Sequence, residues 1–185
     1  MTTTTDKPQA STRNWTIDPA HTLVEFSAKH MMFTTVKGRF SGVSGSILDV
    51  ADDLTRSSVE VEIDAASIAT GDLQRDGHLM SPYFLDVASF PKITFKSRRI
   101  EGKRERFRVI GDLTMRGNTR EVALEAEFEG IGANPWGKTV AGFSASTEIN
   151  RKDFGLSWNV ALETGGVLVS DRVKITLEVQ AVEQA

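Results

Sequence analysis

Apolar and polar residues alternate along most of this chain. In Val122-Ala123-Leu124-Glu125-Ala126-Glu127-Phe128-Glu129 one face carries Val122, Leu124, Ala126 and Phe128, and the other carries Ala123 and three glutamates. That is the period of a strand with one dry and one wet side. The same phase recurs in Val59-Val61-Ile63, Phe107-Val109-Gly111-Leu113-Met115, Ala141-Phe143-Ala145 and Val173-Ile175-Leu177-Val179. Strands are predicted near Thr16–Ile17, Leu23–His30, Val36–Gly42, Gly45–Val50, Ser58–Asp64, Lys92–Glu101, Arg106–Met115, Glu121–Gly130, Thr139–Ile149 and Arg172–Val182. Glycines such as Gly38 and Gly42 favour bends and bulges, so some of these runs should merge. Gly117-Asn118 is a short hairpin signal, because both residues tolerate positive φ. No long helical segments alternate with the strands, which excludes a parallel α/β sheet.

One segment breaks the alternation. From Asp72 the spacing turns helical, and Pro82 and Pro91 limit how far a helix can run before the strand that starts at Lys92. The expectation is an all-β protein with one short helical segment near residues 72-89. Long antiparallel strands with one dry face each can bury that face in a sandwich or in a closed barrel. Closure removes exposed edges, and about eight strands leave an interior able to hold one small ligand. The pattern gives the barrel the lead.

The helical segment also carries a motif. Asp72-x-x-Arg75-Asp76-x-His78-Leu79 runs on to Phe84-Leu85-Asp86, Phe90-Pro91, Ile93 and Phe95. This resembles the signature of the YceI-like family of lipid- and polyisoprenoid-binding proteins, with Tyr83 and Leu85 flanking Phe84 where that family has a double phenylalanine. Ile17-Asp18-Pro19-Ala20-His21 through Lys29-His30 is similar to the family's opening, and Val36-Lys37-Gly38-Arg39-Phe40 to its second strand. Gly111 to Thr119, Asn150 to Leu156 and Gly165 to Asp171 resemble further family segments. Each is weak alone, but their order and spacing are specific, and they span Trp15 to about Val182. The resemblance implies an elongated, lipocalin-like antiparallel barrel with an apolar tunnel, and it suggests homodimers.

Composition narrows the picture. The chain has 185 residues, 39% of them hydrophobic, which suits one domain with a sizeable core. The net charge of −3 comes from interspersed charges, and no basic face argues for nucleic acid. With no cysteines, disulfides, thiolate metal sites and cysteine nucleophiles are excluded. Residues 1–14 are polar and threonine-rich, unlike a secretory signal or membrane span, and read as a disordered leader before a single barrel domain at 15–185. The expected compartment is cytoplasmic.

The inward phase supplies the candidate ligand-binding residues: Val24, Phe26, Ala28 and His30 on one strand, Val36 and Phe40 on the next, then Phe95, Phe107, Val109, Leu113, Ala126, Phe128, Phe143 and Ala145. Small residues (Ala28, Gly38, Gly111, Ala126, Ala141, Ala145) are interleaved with phenylalanines. They serve either a close-packed core or a channel between aromatic walls, and the resemblance favours the channel. Ten phenylalanines against one tyrosine make its wall poor in hydroxyls. Burial is worth about 0.8 kcal/mol per CH₂, or about 3–4 kcal/mol per isoprene unit. A few units therefore offset association costs of about 4–15 kcal/mol.

The chemistry-bearing residues are few. The three histidines show no metal-ligand spacing, and no nucleophile elbow, phosphate loop or dinucleotide fingerprint is present. His30 is in phase to reach the interior or its rim, where it could meet a lipid head. Arg75, His78 and Phe84 belong either to a lid over the mouth, with the two polar groups facing a head group, or to a cap and ion-pair network that seats the helix. For Arg75 and Asp76 the second role is the commoner one. The sequence thus points to a non-enzymatic carrier or store of a long apolar lipid, a polyisoprenoid such as an isoprenoid quinone or polyprenyl phosphate, with no cofactor and no membrane span. The alternatives are an enzyme acting on such a lipid through His30 or Asp76, and an interaction module whose barrel is filled by side chains.

Overall fold

The computed structural model describes residues 11–185. Eleven strands and one α-helix follow one another: β1 Thr12–Ile17, β2 Leu23–His30, β3 Thr34–Phe40, β4 Val43–Val50, β5 Ser58–Asp64, β6 Ile68–Ala69, α1 Leu73–Met80, β7 Lys92–Gly102, β8 Arg106–Met115, β9 Asn118–Ala133, β10 Thr139–Asn150 and β11 Arg172–Glu183. All pairings are antiparallel.

The eleven strands occupy eight positions around a closed barrel. β1 and β2 lie end to end along one edge of β11, β1 against Ala181–Glu183 and β2 against Lys174–Glu178. β3 and β4 form the next position, since β3 pairs with β2 and β4 with β1. β5 and β6 form the third, and β7 to β11 complete the circuit back to β1. Each break has a local cause. Between β1 and β2, Pro19 removes a backbone donor, and the Asp18 carboxylate caps a short 3₁₀ turn by accepting from the Ala20 N–H at 3.0 Å. Asp64 caps the turn between β5 and β6 in the same way.

Several expectations shift in detail. β1 begins at Thr12, inside the expected leader, because Thr12–Asn14 pair with Val50–Leu48; residues 1–10 of that leader lie outside the described residues. The β8–β9 hairpin turns on Arg116-Gly117 rather than Gly117-Asn118. Both carry positive φ (49° and 70°), and Met115 pairs with Asn118 across them. Asn118 instead donates its side-chain amide to Arg116 and Phe154 carbonyls. The helix is shorter than the 72–89 segment, ending at Met80 before Pro82, with a chain of tight turns continuing to Phe90. β6 and its role in closing the wall had no signal in the periodicity.

The two ends of the barrel differ. At the hairpin end, the β7–β8 turn at 103–105 meets the end of β4, and the β9–β10 hairpin runs on past its neighbours. At the helix end, α1, the Arg116-Gly117 turn and the loop 151–171 close over one another. Arg116 Nη1 donates to the carbonyls of both Phe84 (2.9 Å) and Gly155 (3.1 Å), tying these three pieces together.

Candidate functional site

The dry faces of the barrel enclose one continuous cavity of about 300 Å³. It runs from Asp49, Arg104 and Phe128 at the hairpin end to Phe84, Leu156 and Val169 at the helix end. Alternation places most of its wall. On β9, Val122, Leu124, Ala126 and Phe128 line the cavity, while Glu125 and Glu127 point outward to ion pairs with Arg108 and Arg106, each at 2.8 Å. Thirteen of the seventeen candidate residues line it: Val24, Phe26, Ala28, Phe40, Phe84, Phe95, Phe107, Val109, Leu113, Ala126, Phe128, Phe143 and Ala145.

The other four stand elsewhere. His30 keeps the inward phase of β2, but the strand has passed the rim by that point, so its ring is exposed beside the turn that starts at Met31. Val36 stands directly opposite Ala28 on β3 but, unlike Ala28, does not line the cavity. Arg75 is a staple: its Nε donates to Thr70 Oγ1 (2.7 Å) and its Nη2 to the Thr70 carbonyl (3.0 Å). Asp76, only 7% exposed, accepts from the same threonine's N–H (2.9 Å) and hydroxyl (2.6 Å). Together they seat α1 against β6, the structural role. His78 is wedged between aromatic rings, edge-on to Trp158, Phe84 and Tyr83 at centroid distances of 4.6, 5.1 and 5.7 Å. Its neighbour Phe84 lines the cavity, and His78 supports Phe84 from behind.

The interleaved small residues divide between both roles considered for them. A Cβ at Gly38 would overlap the Phe26 ring, so that glycine seats a phenylalanine as in a packed core. Ala126 and Ala145 face each other in register and leave open space beneath the Phe128–Phe143 pair, whose centroids are 5.6 Å apart.

The polar residues of the wall were not among the candidates. Asp49 follows Ile47 on the inward side of β4 and is 8% exposed; a charged residue in the dry phase was the signal. Arg104, on the β7–β8 turn, reaches over the rim to bond it with both nitrogens, Nη1 to Oδ1 at 3.1 Å and Nη2 to Oδ2 at 2.8 Å. Its guanidinium lies 5.5 Å from the centroid of Phe128. The bond to Asp49 raises the Arg104 pKa above its ordinary value, with burial opposing. At the helix end Arg151, 3% exposed, donates to the carbonyls of Leu156, Trp158, Ser170 and Val169 and so binds the loop 156–170 over that end. Burial lowers its pKa, partly offset by Asp171. Bulges hid other wall residues. The one between Ser97 and Arg99 turns Ile100 inward, out of phase with Phe95.

A family model for the YceI-like domain matches residues 15–181. A UPF0312 protein of Staphylococcus aureus strain N315 is 37% identical over 162 residues, covering 87% of this chain and 92% of its own length. Among solved structures, a Campylobacter jejuni YCEI protein superposes with a TM-score of 0.72 at 30% identity, covering 85% of this chain and 90% of that one. A Saccharophagus degradans domain described as polyisoprenoid binding superposes with a TM-score of 0.70 at 15% identity, over 95% of this chain and 100% of that one. At that identity the likeness is one of fold. No helix of the described residues is long and apolar enough to cross a membrane.

Proposed function

We propose that this chain, which belongs to the YceI-like domain family, binds a long apolar lipid inside its barrel and carries or stores it without turnover. The observation that carries this reading is the cavity itself, walled mostly by aliphatic and phenylalanine side chains, with the Asp49–Arg104 pair at one end and Arg151 at the other. An empty apolar void costs roughly 24 cal/mol per Å³, so 300 Å³ left empty would cost about 7 kcal/mol. That is comparable to the whole stability of a domain, about 5–15 kcal/mol. A hydrocarbon tail restores the lost contacts, and the exchange favours binding.

The tail class is a polyisoprenoid, an isoprenoid quinone or a polyprenyl phosphate. The description of the Saccharophagus domain of the same fold supports that choice. Binding rather than catalysis is supported by the candidate acid–base groups, since His30 stands outside the cavity and Asp76 spends Oδ1 on Thr70. The test is native mass spectrometry of the purified protein followed by organic extraction. A released polyisoprenoid, and its uptake again by stripped protein, is the expected result. Stripped protein that takes up no lipid of any class would leave the barrel without a cargo and end the carrier reading.

A further inference from the structure

The turn between β2 and β3 breaks the ordinary chemistry of a tight hairpin. The Phe33 N–H donates back to the His30 carbonyl at 3.1 Å. The two residues between them, Met31 and Met32, both have positive φ, 51° and 69°. Hairpins usually place Asn-Gly or Gly-Gly in that conformation, because a larger side chain is crowded there. Here both positions hold methionine, and with Phe33 they stand out in solvent, exposed by 42%, 58% and 81% in chain order. Backbone strain and exposed apolar surface both work against folding, and a local rule broken in this way marks a functional position. The turn is also tied to the end wall of the cavity. The Met31 N–H donates to the Leu168 carbonyl (2.8 Å), and the Leu168 N–H donates to the carbonyl of Val160, another exposed apolar residue (2.9 Å). His30 bridges Val169, which lines the cavity. At the base of the turn, the Lys29 ammonium donates to the Thr35 hydroxyl (2.7 Å) and has no carboxylate partner.

We infer that this turn docks the protein on an anionic bilayer, with Met32 and Phe33 inserted among the acyl chains and Lys29 at the level of the lipid phosphates. The docking stands on the turn itself; that cargo enters at this end rests on the carrier reading above. A second copy of the chain fits the tip poorly. Three or four projecting side chains fall far short of the roughly 20–30 residues a side of a stable protein interface. A bilayer needs no matching pocket, because attachment scales with the apolar area inserted and gains from cations near the surface. The loop 156–170 beside the turn carries one carboxylate, Glu163, so the surroundings of the tip are not strongly acidic. Docking in this pose brings the Val169 segment of the cavity wall to the bilayer, and an apolar tail passes from one dry phase to the other without crossing water.

The experiment measures sedimentation of stripped protein with vesicles of phosphatidylglycerol and phosphatidylethanolamine in equal parts, and pickup of solanesol from the same vesicles. The variants are Phe33→Ser, the double variant Met31→Asn with Met32→Gly, and Trp136→Ser. The double variant installs residues suited to the turn, so its melting temperature should be unchanged or raised. It and Phe33→Ser should each bind vesicles at least about tenfold more weakly, and wild-type binding should fall as salt rises. Trp136 is as exposed as Phe33 but sits on the β9–β10 hairpin at the other end, and its replacement should change nothing. Pickup from vesicles should slow with the loss of docking, while uptake from detergent solution stays at the wild-type level. Wild type that ignores the vesicles, turn variants that bind like wild type, or binding lost only with Trp136→Ser overturns the docking assignment. Turn variants that lose self-association instead make the tip a contact between copies and overturn it too. Vesicle binding that depends on the turn, in a protein that takes up no lipid of any class from detergent, keeps the docking and ends the carrier reading.

Discussion

Replacing Ala145 or Ala126 with tryptophan separates a cavity from a packed core. The two alanines are register partners on β10 and β9, and both line the void below Phe128 and Phe143. Tryptophan adds nine heavy atoms at a point where a tail would lie. At about 0.8 kcal/mol per CH₂-sized group, displacing that much hydrocarbon removes about 7 kcal/mol of gross burial from the bound lipid, enough to abolish tight binding. Stability responds in the opposite sense to the two pictures. Overpacking a filled core costs about 1–3 kcal/mol, and at about 2–4 °C per kcal/mol for a domain of this size the melting temperature falls by about 2–12 °C. Filling a real void costs little or stabilises. The assays are calorimetric melting of stripped protein and lipid uptake by native mass spectrometry. The expected result is a melting temperature unchanged or raised and uptake lost in both variants. A drop near the upper end of that range in both, with wild-type protein that never takes up lipid, would mean the interior is filled by side chains.

Four further outcomes follow from the placement of particular groups. Asp76→Ala removes a buried carboxylate and leaves the half-buried Thr70 N–H and hydroxyl without their acceptor; it should cost about 1–3 kcal/mol, read by denaturant melts, with wild-type stability refuting the seating role. His30→Leu should leave the ratio of headed to head-less ligand affinity unchanged, because the ring is exposed beyond the rim; a changed ratio would put His30 back at the head. The 71–90 segment should lose hydrogen-exchange protection when lipid is removed, since Leu79, Phe84 and Leu85 line the cavity, while exposed Glu125 and Glu127 on β9 report no change. Asp72 caps α1, and the N–H of Arg75, with that of Gln74, holds its carboxyl pKa below the ordinary 3.8; the group therefore supports the helix above that value and releases it as pH falls through the lowered one. Acid titration by NMR should show α1 loosening below about pH 3.8 in wild type, and a helix end insensitive to that range in Asp72→Ala.

Much of the wall was legible because a strand has a strict period of two. Once Val24, Phe26 and Ala28, or Leu124, Ala126 and Phe128, are put in phase, their common face follows whatever the neighbours do. The pattern failed where the period was interrupted. The bulge before Ile100 reverses the faces within one strand, and His30 keeps its phase after the barrel has ended beneath it. Phase says which side a residue takes, but not how far along the axis the enclosed space extends.

The sequence by itself determined the all-β class, the antiparallel order, the apolar character of the interior and the position of the single helix, because each depends on local periodicity, proline and capping chemistry. Only the tertiary structure decided how eleven strands share eight barrel positions, since end-to-end placement of β1 with β2 is a matter of which partners they meet on β11. It also decided which small residues leave space. Gly38 is filled by a ring from the neighbouring strand and Ala145 is not, a difference set by the reach of side chains far apart in sequence. The polar end of the cavity belongs to the same class of fact. Asp49 and Arg104 come from separate stretches of chain, and only the pairing of β4 with β7 through β5 brings them to one end of the cavity.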